Sequence, residues 1–249
     1  MDTFDPKPEL NRLAGQPLPG SFKPVITPMG EYNAPLLPSQ RKWAQHGESG
    51  MWVSDWLPHT ATVADDISIL RGCWTNGINH SGGVCQMNTG VFTAGRPSLG
   101  AWVSYGLGTE NQNLPAFVTI CPTLAHGGVN NWGAAFLPAY CQGTPIGNAS
   151  LAASKVKVKH IRNQRLDGST QRKQLDLLRA MNEEHLELTG ADQALQGRLD
   201  SFELAFRMQT AMPEVQEIGG ESEITRKLYG IDDPVTEDFG RQCLMARRF

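Results

Sequence analysis

The sequence predicts a mixed α/β protein whose last third is helical. Charge is spread unevenly: residues 1–150 carry 16 charged side chains and residues 151–249 carry 31. Across residues 73–153 only Arg96 and Glu110 are charged. From Ser169 onward apolar residues recur at helical spacing, whereas upstream they fall in short runs between glycines and prolines. Three segments of one incomplete domain follow: a proline-rich extended arm over 1–44, an α/β core part over 45–168 and a helical section over 169–249.

Residues 5–40 hold eight prolines. Proline fixes φ and lacks an N–H, so this density forbids a long helix or a central strand. The arm therefore reads as extended chain lying over a surface. The apolar run 63–70, with Asp65 and Asp66 inside it, suits a helix end running into a strand at Cys73-Trp74. Ala116-Phe117-Val118-Thr119-Ile120-Cys121, closed by Pro122, reads as a buried strand. Residues 155–159 alternate Lys and Val, the pattern of an exposed strand with a charged edge.

Leu175, Leu178, Met181 and His185 then share one helix face, with Gly190 as the stop. Leu195, Leu199, Phe202, Phe206 and Met212 make a second stripe, ended by Pro213. A third helix ends at Tyr229-Gly230. A fourth opens near Thr236 and is still running at Phe249. That last helix carries no cap or stop signal and no strand precedes Asp2, so both ends read as cut.

Composition narrows the function. With 40% hydrophobic residues, 19% charged and a net charge of −3, the chain has ordinary globular composition. Near-neutral charge gives no reason to expect nucleic acid as a partner. No stretch reaches the roughly 18 apolar residues of a spanning helix, and no basic-then-apolar leader opens the chain. The five cysteines, at 73, 85, 121, 141 and 243, show no CxxC pair. They read as buried free thiols, with a Cys121–Cys141 bridge as the alternative.

The familiar catalytic motifs fail one by one. No Gly-Lys pair exists for a phosphate loop. Gly106-Leu107-Gly108 begins a dinucleotide fingerprint, but Asn111 takes the third glycine position. Arg96-Pro97-Ser98-Leu99-Gly100 has the spacing of a nucleophile elbow, with Arg96 in place of the first glycine. What remains is a polar glycine-rich tract, Thr75-Asn76-Gly77-Ile78-Asn79-His80-Ser81-Gly82-Gly83. Small residues there let backbone approach a ligand, and Asn and His offer donors and a metal-binding nitrogen. Arg96, the one cation in a neutral stretch, reads either as half of a structural ion pair or as the contact for an anionic ligand in the same cleft as Asn79 and His80.

Several phrases carry a resemblance. Asp2-Thr3-Phe4-Asp5-Pro6-Lys7-Pro8, Gly95-Arg96-Pro97-Ser98-Leu99-Gly100-Ala101-Trp102 and Tyr105-Gly106-Leu107-Gly108-Thr109-Glu110-Asn111 resemble a sulfatase-like family of bacterial proteins. Leu114-Pro115-Ala116-Phe117-Val118 and Phe202-Glu203-Leu204-Ala205-Phe206-Arg207-Met208-Gln209 match it too. This is the domain of unknown function 1501, in the alkaline phosphatase and sulfatase superfamily. The resemblance runs along nearly the whole chain and is weakest over 122–168.

The resemblance implies an incomplete three-layer αβα alkaline-phosphatase-like core. It also implies hydrolysis of phosphate or sulfate esters by a nucleophile between metal ions. Asp2 falls where the first strand delivers a metal-binding carboxylate. Asn79 and His80 fall near the nucleophile turn, with Arg96 as ligand contact. The chain offers there neither the cysteine of sulfatases nor a matching Thr or Ser; Ser81 is adjacent. The family's later Glu-Phe-Gly-Arg-Thr-Pro and Asp-His phrases, the expected source of further metal ligands, do not occur. The resemblance thus implies a divalent metal (zinc, calcium or manganese) in the full-length family, not held by this chain. Catalytic zinc takes about three protein ligands and calcium about six to eight oxygens, and Asp2 alone cannot supply them.

The implied partner is a small anionic ester or a sulfated or phosphorylated glycan. The family also implies export to the periplasm or beyond. The competing expectation is a non-catalytic envelope or carbohydrate-binding protein of the same fold.

Overall fold

A computed structural model describes residues 3–22, 34–158 and 161–249. It mixes helices with two small sheets, in two compact units, Met1–Asn79 and His80–Phe249.

In the first unit α1 (Pro8–Arg12) is a single short helix inside the proline-rich arm. Pro8 tolerates the first helical turn because its missing N–H would be unpaired there anyway, and Arg12 closes back on Glu9. β1 (Trp43–His46) and β2 (Met51–Ser54) form an antiparallel hairpin, with Trp43 opposite Ser54 and His46 opposite Met51. Gly47 and Gly50 take φ of 70° and 62° in its loop. Asp65 holds that loop, accepting from the Glu48 and Ser49 amides at 2.9 Å each, and a side chain at Gly47 would collide with its carboxylate. These amides hold the Asp65 carboxyl below its usual pKa range.

The expected helix end running into a strand does not form over 63–74. α2 (Pro58–Ala61) and a 3-10 turn at Ala64–Asp66 come first, and no strand follows. Asp65 serves the hairpin loop rather than a helix, while Leu70, Cys73 and Trp74 are exposed and pair with no neighbouring strand.

The second unit opens with α3 (His80–Thr89) and α4 (Leu99–Leu107). β3 (Val118–Ile120) lies where the apolar run places it, half-buried rather than fully buried, and pairs in parallel with β4 (Thr144–Ile146). The crossover between them contains 3-10 turns and no α-helix. Lys155, expected in a strand, closes a 3-10 turn, and Val156 is buried in the core. The Lys/Val alternation therefore records two valines packed on the core, Val156 buried and Val158 half-buried, and not a sheet edge; Lys159 lies outside the described residues. Among the described residues the two two-stranded sheets are the only sheet.

α5 (Gly168–Thr189) and α6 (Gln193–Gln216) form a helical hairpin. The Asp167 and Asp192 side chains cap their first turns, and Gly190, at φ 90°, follows α5. The inner face of α5 runs through Gln171, Leu175, Leu178, Asn182 and Leu186, so the expected Met181 and His185 face solvent.

Pro213 does not end α6. The helix runs three residues further because Met212 and Val215 are buried on either side of the proline. Arg248 also donates to the Val215 and Glu214 carbonyls at 2.9 and 2.6 Å and pairs with Glu221. Packing and capping of the last carbonyls outweigh the lost backbone bond. α7 (Glu223–Leu228) ends before Tyr229-Gly230, and α8 (Glu237–Arg248) follows Thr236, both as the sequence predicts. The core joins Leu114, Ile146 and Val156 to Met208, Met212, Val215 and Met245.

Candidate functional site

α3 begins in the polar tract, and His80 is its first residue. His80 is exposed, as is Asn79 before it. The His80 ring meets that of His126 edge to face, 5.1 Å between centroids. His126 comes from a loop that the sequence reading passed over. Its φ is 55°, and Gly127 and Gly128 follow at 98° and 53°. Three consecutive left-handed residues are strained where one is not glycine, and such strain collects at functional sites.

Side-chain amides hold this loop. Asn131 Nδ2 donates to the His126 carbonyl at 3.0 Å, and Asn130 Nδ2 to that of Gly127 at 2.9 Å. The 3-10 turn carrying both asparagines, Gly128–Asn131, packs on α3. Asn131 Oδ1 is buried without a hydrogen-bond partner. The arrangement presents two imidazoles side by side, each with a donor and an acceptor nitrogen in its neutral form. Such a pair can relay a proton or supply two nitrogens to one ion.

A concavity of about 510 Å³ lies elsewhere, between the end of α4, the following loop and the α5–α6 hairpin. Thr109, Asn111, Gln112 and Tyr140 line it together with Arg179, Asp200, Glu203 and Arg207. Glu203 is already committed: Arg172 pairs with it and lies over the Phe206 ring. Asp200 accepts from Gln196 at 3.0 Å. Burial, then the neighbouring Cys141 thiol, raises the Tyr140 pKa, keeping it a donor. Nothing in local sequence marked this cleft, because its charges come from two helices and meet only when these pair.

The profile of a family described as a protein of unknown function, DUF1501, matches residues 1–249. The chain belongs to that family. No curated protein and no solved structure matches it.

Of the residues that sequence singled out in this DUF1501 protein, His80 is brought together with His126. Arg96 is exposed and makes no ion pair among the described residues. It stands before Pro97 and Ser98, both buried, so the segment is anchored by them and not by the guanidinium. Ser98, at the elbow-like position, donates its hydroxyl to the Gly133 carbonyl at 3.1 Å, a structural use. Asp2 lies outside the described residues.

Neutrality over 73–153 does not mean burial: Trp74, Met87, Phe92, Trp102, Leu107 and Phe136 are all exposed. All five cysteines are free, without a Cys121–Cys141 bridge, and Cys73 is exposed rather than buried. Burial raises the Cys121 and Cys141 pKa values, which disfavours the thiolate a nucleophile needs.

For the metal that the resemblance implies, the described residues offer the two imidazoles. No group of three or more His, Cys, Asp or Glu gathers among them. That is short of the roughly three protein ligands of a catalytic zinc. No helix among the described residues is long and apolar enough to cross a membrane.

Proposed function

We propose that this DUF1501 chain is part of a sulfatase-like, metal-dependent hydrolase of sulfate or phosphate esters, with an αβα alkaline-phosphatase-like core. His80 and Asn79 stand at its reacting end, Arg96 on the ligand side and Asp2 among the metal ligands. The observation that carries the reading is the His80–His126 pair, held by a strained, amide-clamped loop at the start of α3. An imidazole there can protonate a leaving alkoxide or orient an attacking oxygen. A further cation set around the transferring group is still needed; a divalent metal, with Asp2 among the residues that would hold it, would supply that charge. On this reading the chain by itself is inactive.

The test is hydrolysis of 4-nitrophenyl sulfate and phosphate with added zinc, manganese or calcium. This chain is compared with the longest polypeptide its gene encodes. Turnover by the longer polypeptide, lost in His80→Ala, supports the reading. Turnover by this chain alone overturns the inactivity, and turnover unaffected by His80→Ala overturns the site.

A specific observation favours a second reading, carbohydrate binding without turnover. Trp102, Tyr105 and Phe136 form an exposed aromatic group, with ring centroids 6.2 and 5.9 Å from Trp102. Exposed rings stack on sugar faces. Glycan binding lost in Trp102→Ala, with no hydrolysis under any metal, would select it.

A further inference from the structure

The cleft of about 510 Å³ between α4 and the α5–α6 hairpin holds charges of both signs. One wall is a single face of α6, where Asp200, Glu203, Leu204 and Arg207 follow at i, i+3, i+4 and i+7. Glu203 is neutralised by Arg172. Asp200 and Arg207 are not: neither makes an ion pair among the described residues. Seven residues at about 1.5 Å each set them about 10 Å apart along the helix, with Leu204 between.

Each end is equipped for a different group. Asp200 is half-buried and accepts from Gln196 through Oδ1 at 3.0 Å, which leaves Oδ2 for a ligand. Burial first, then Cys141, Tyr105 and Asp200, raise the Tyr140 pKa. The Tyr140 hydroxyl therefore stays a hydrogen-bonding group beside that carboxylate. At the other end the Arg207 guanidinium is exposed. Arg179, on the facing helix α5, lies beside Glu203, one turn from Arg207. It reaches Glu203 only at 4.0 Å, and Arg172 already holds that carboxylate, so the Arg179 donors remain available. Leu204 and Leu114 supply apolar surface between the ends.

This pattern disfavours ligands of a single sign. A polyanion meets the Asp200 carboxylate, a polyamine meets two guanidinium groups, and an uncharged molecule leaves both ends unpaired. A guanidinium binds a carboxylate by parallel N–H donors, and a carboxylate beside a hydroxyl accepts from an ammonium. A linear molecule with an ammonium at one end and a carboxylate at the other meets both demands. Asn111 narrows the class. Its Oδ1 is taken by the Asn113 and Leu114 amides at 2.8 and 3.2 Å, which leaves Nδ2 to donate to a carbonyl. An extended peptide advances about 3.3–3.6 Å per residue, so about three residues span the separation of the charges.

We infer that this cleft binds a short peptide of about three residues, its terminal ammonium on Asp200 and Tyr140 and its terminal carboxylate on Arg207 and Arg179. Neither His80 nor His126 lines the cleft, and the inference does not rest on hydrolysis at that pair.

The experiment is calorimetric titration of the intact chain with alanyl-leucyl-alanine, its N-acetyl form, its C-terminal amide, inorganic phosphate and spermidine. The zwitterion is expected to bind. Each blocked form should bind roughly tenfold more weakly, the loss of one charged hydrogen bond, and phosphate and spermidine more weakly than the zwitterion. Asp200→Asn should weaken the zwitterion roughly tenfold and leave the N-acetyl form unchanged. Arg207→Gln should do the same to the zwitterion and leave the amide unchanged. Thermal unfolding reports whether the variants fold, and the blocked peptides test both ends on the wild-type chain in either case. Failure of the zwitterion to bind, equal affinity for either blocked form, or tighter binding of phosphate or spermidine would overturn the proposal. So would an equal loss of the N-acetyl form in Asp200→Asn, because Asp200 would then shape the cleft and not meet the ammonium. Turnover assays of His80 variants are independent of all these outcomes.

Discussion

The neutral tract of residues 73–153 and the charged section of residues 169–249 are built on opposite terms. The helical section announces itself locally. Its caps are Asp167, Asp192 and Ser222, and each accepts from backbone amides of the first turn it precedes. The neutral tract is held by distant partners. Ser98 reaches Gly133, Gly143 donates to Trp132, and Cys121 donates to Ile146. In one region structure follows from period and cap; in the other it follows from where glycine permits the chain to pass.

That contrast can be broken by substitution. The largest effect is expected at Met212, which is fully buried where α6 meets the core of the neutral tract. Met212→Ala should cost about 2–5 kcal/mol by urea unfolding; a value under about 1 kcal/mol would mean that the two regions do not share a core. Gly147 comes next. It has φ 71°, and a Cβ there would meet the Val156 side chain. Gly147→Ala should cost about 1–3 kcal/mol, whereas Gly168→Ala, with open space around it, should not destabilise. Equal effects at the two glycines would erase the distinction.

Asp192→Ala removes the α6 cap and should cost about 0.5–2 kcal/mol. Leu177→Ala, on the exposed face of α5, should stay within about 0.5 kcal/mol. A larger loss there would show that this face is covered in solution.

Acid titration sharpens the same point. Backbone amides lower the Asp65 and Asp167 pKa values, Asp65 through Ser49 and Glu48 and Asp167 through Thr170. A depressed folded value means that each contributes stability above the ordinary Asp pKa of about 3.9. That contribution is lost as the pH falls through the lower folded value. Stability of the wild type should therefore drop more steeply below about pH 4 than that of Asp65→Asn or Asp167→Asn. Parallel profiles would deny the carboxylates this role.

His126 tests function against stability. Replacing it by glycine relieves a left-handed residue, so His126→Gly should keep or raise the melting temperature while removing the partner of His80. A lowered melting temperature would mean that the ring contact outweighs the strain.

These differences explain what could be read in advance. α5 was legible from its apolar period and the stop at Gly190, and α7 from its stop at Tyr229-Gly230, whereas α8 was legible only from its start near Thr236, which no side chain caps. The extent of α6 was not, because Arg248 and two buried neighbours carry the helix through Pro213. β3 was legible as an apolar run closed by proline, whereas the hairpin at Trp43–Ser54 was not. The hairpin depends on Asp65, eleven residues past its end, which holds the loop amides. Of the candidate site, His80 was legible as a chemical type in a glycine-rich tract. His126 was invisible, since nothing in His126-Gly127-Gly128 distinguishes a strained imidazole from an ordinary turn.

The parallel pairing of β3 with β4 sets an order of events. The α5–α6 hairpin closes over a three-residue connection, so its contacts are local and its loop-closure entropy is small. Parallel strands ordinarily draw their second strand back with a crossover helix. Here the returning chain has only 3-10 turns, with no cooperative element to bring Thr144 to Val118. Contacts across such a connection are slow to form because chain entropy is spent before they reward it. The helical hairpin, whose α6 carries Met208, Met212 and Val215 into the core, is therefore expected to form first. Leu114 and Ile146 are expected to settle on it late, so that in pulse-labelled refolding the amides of the β3–β4 ladder should gain protection from exchange after those of α6.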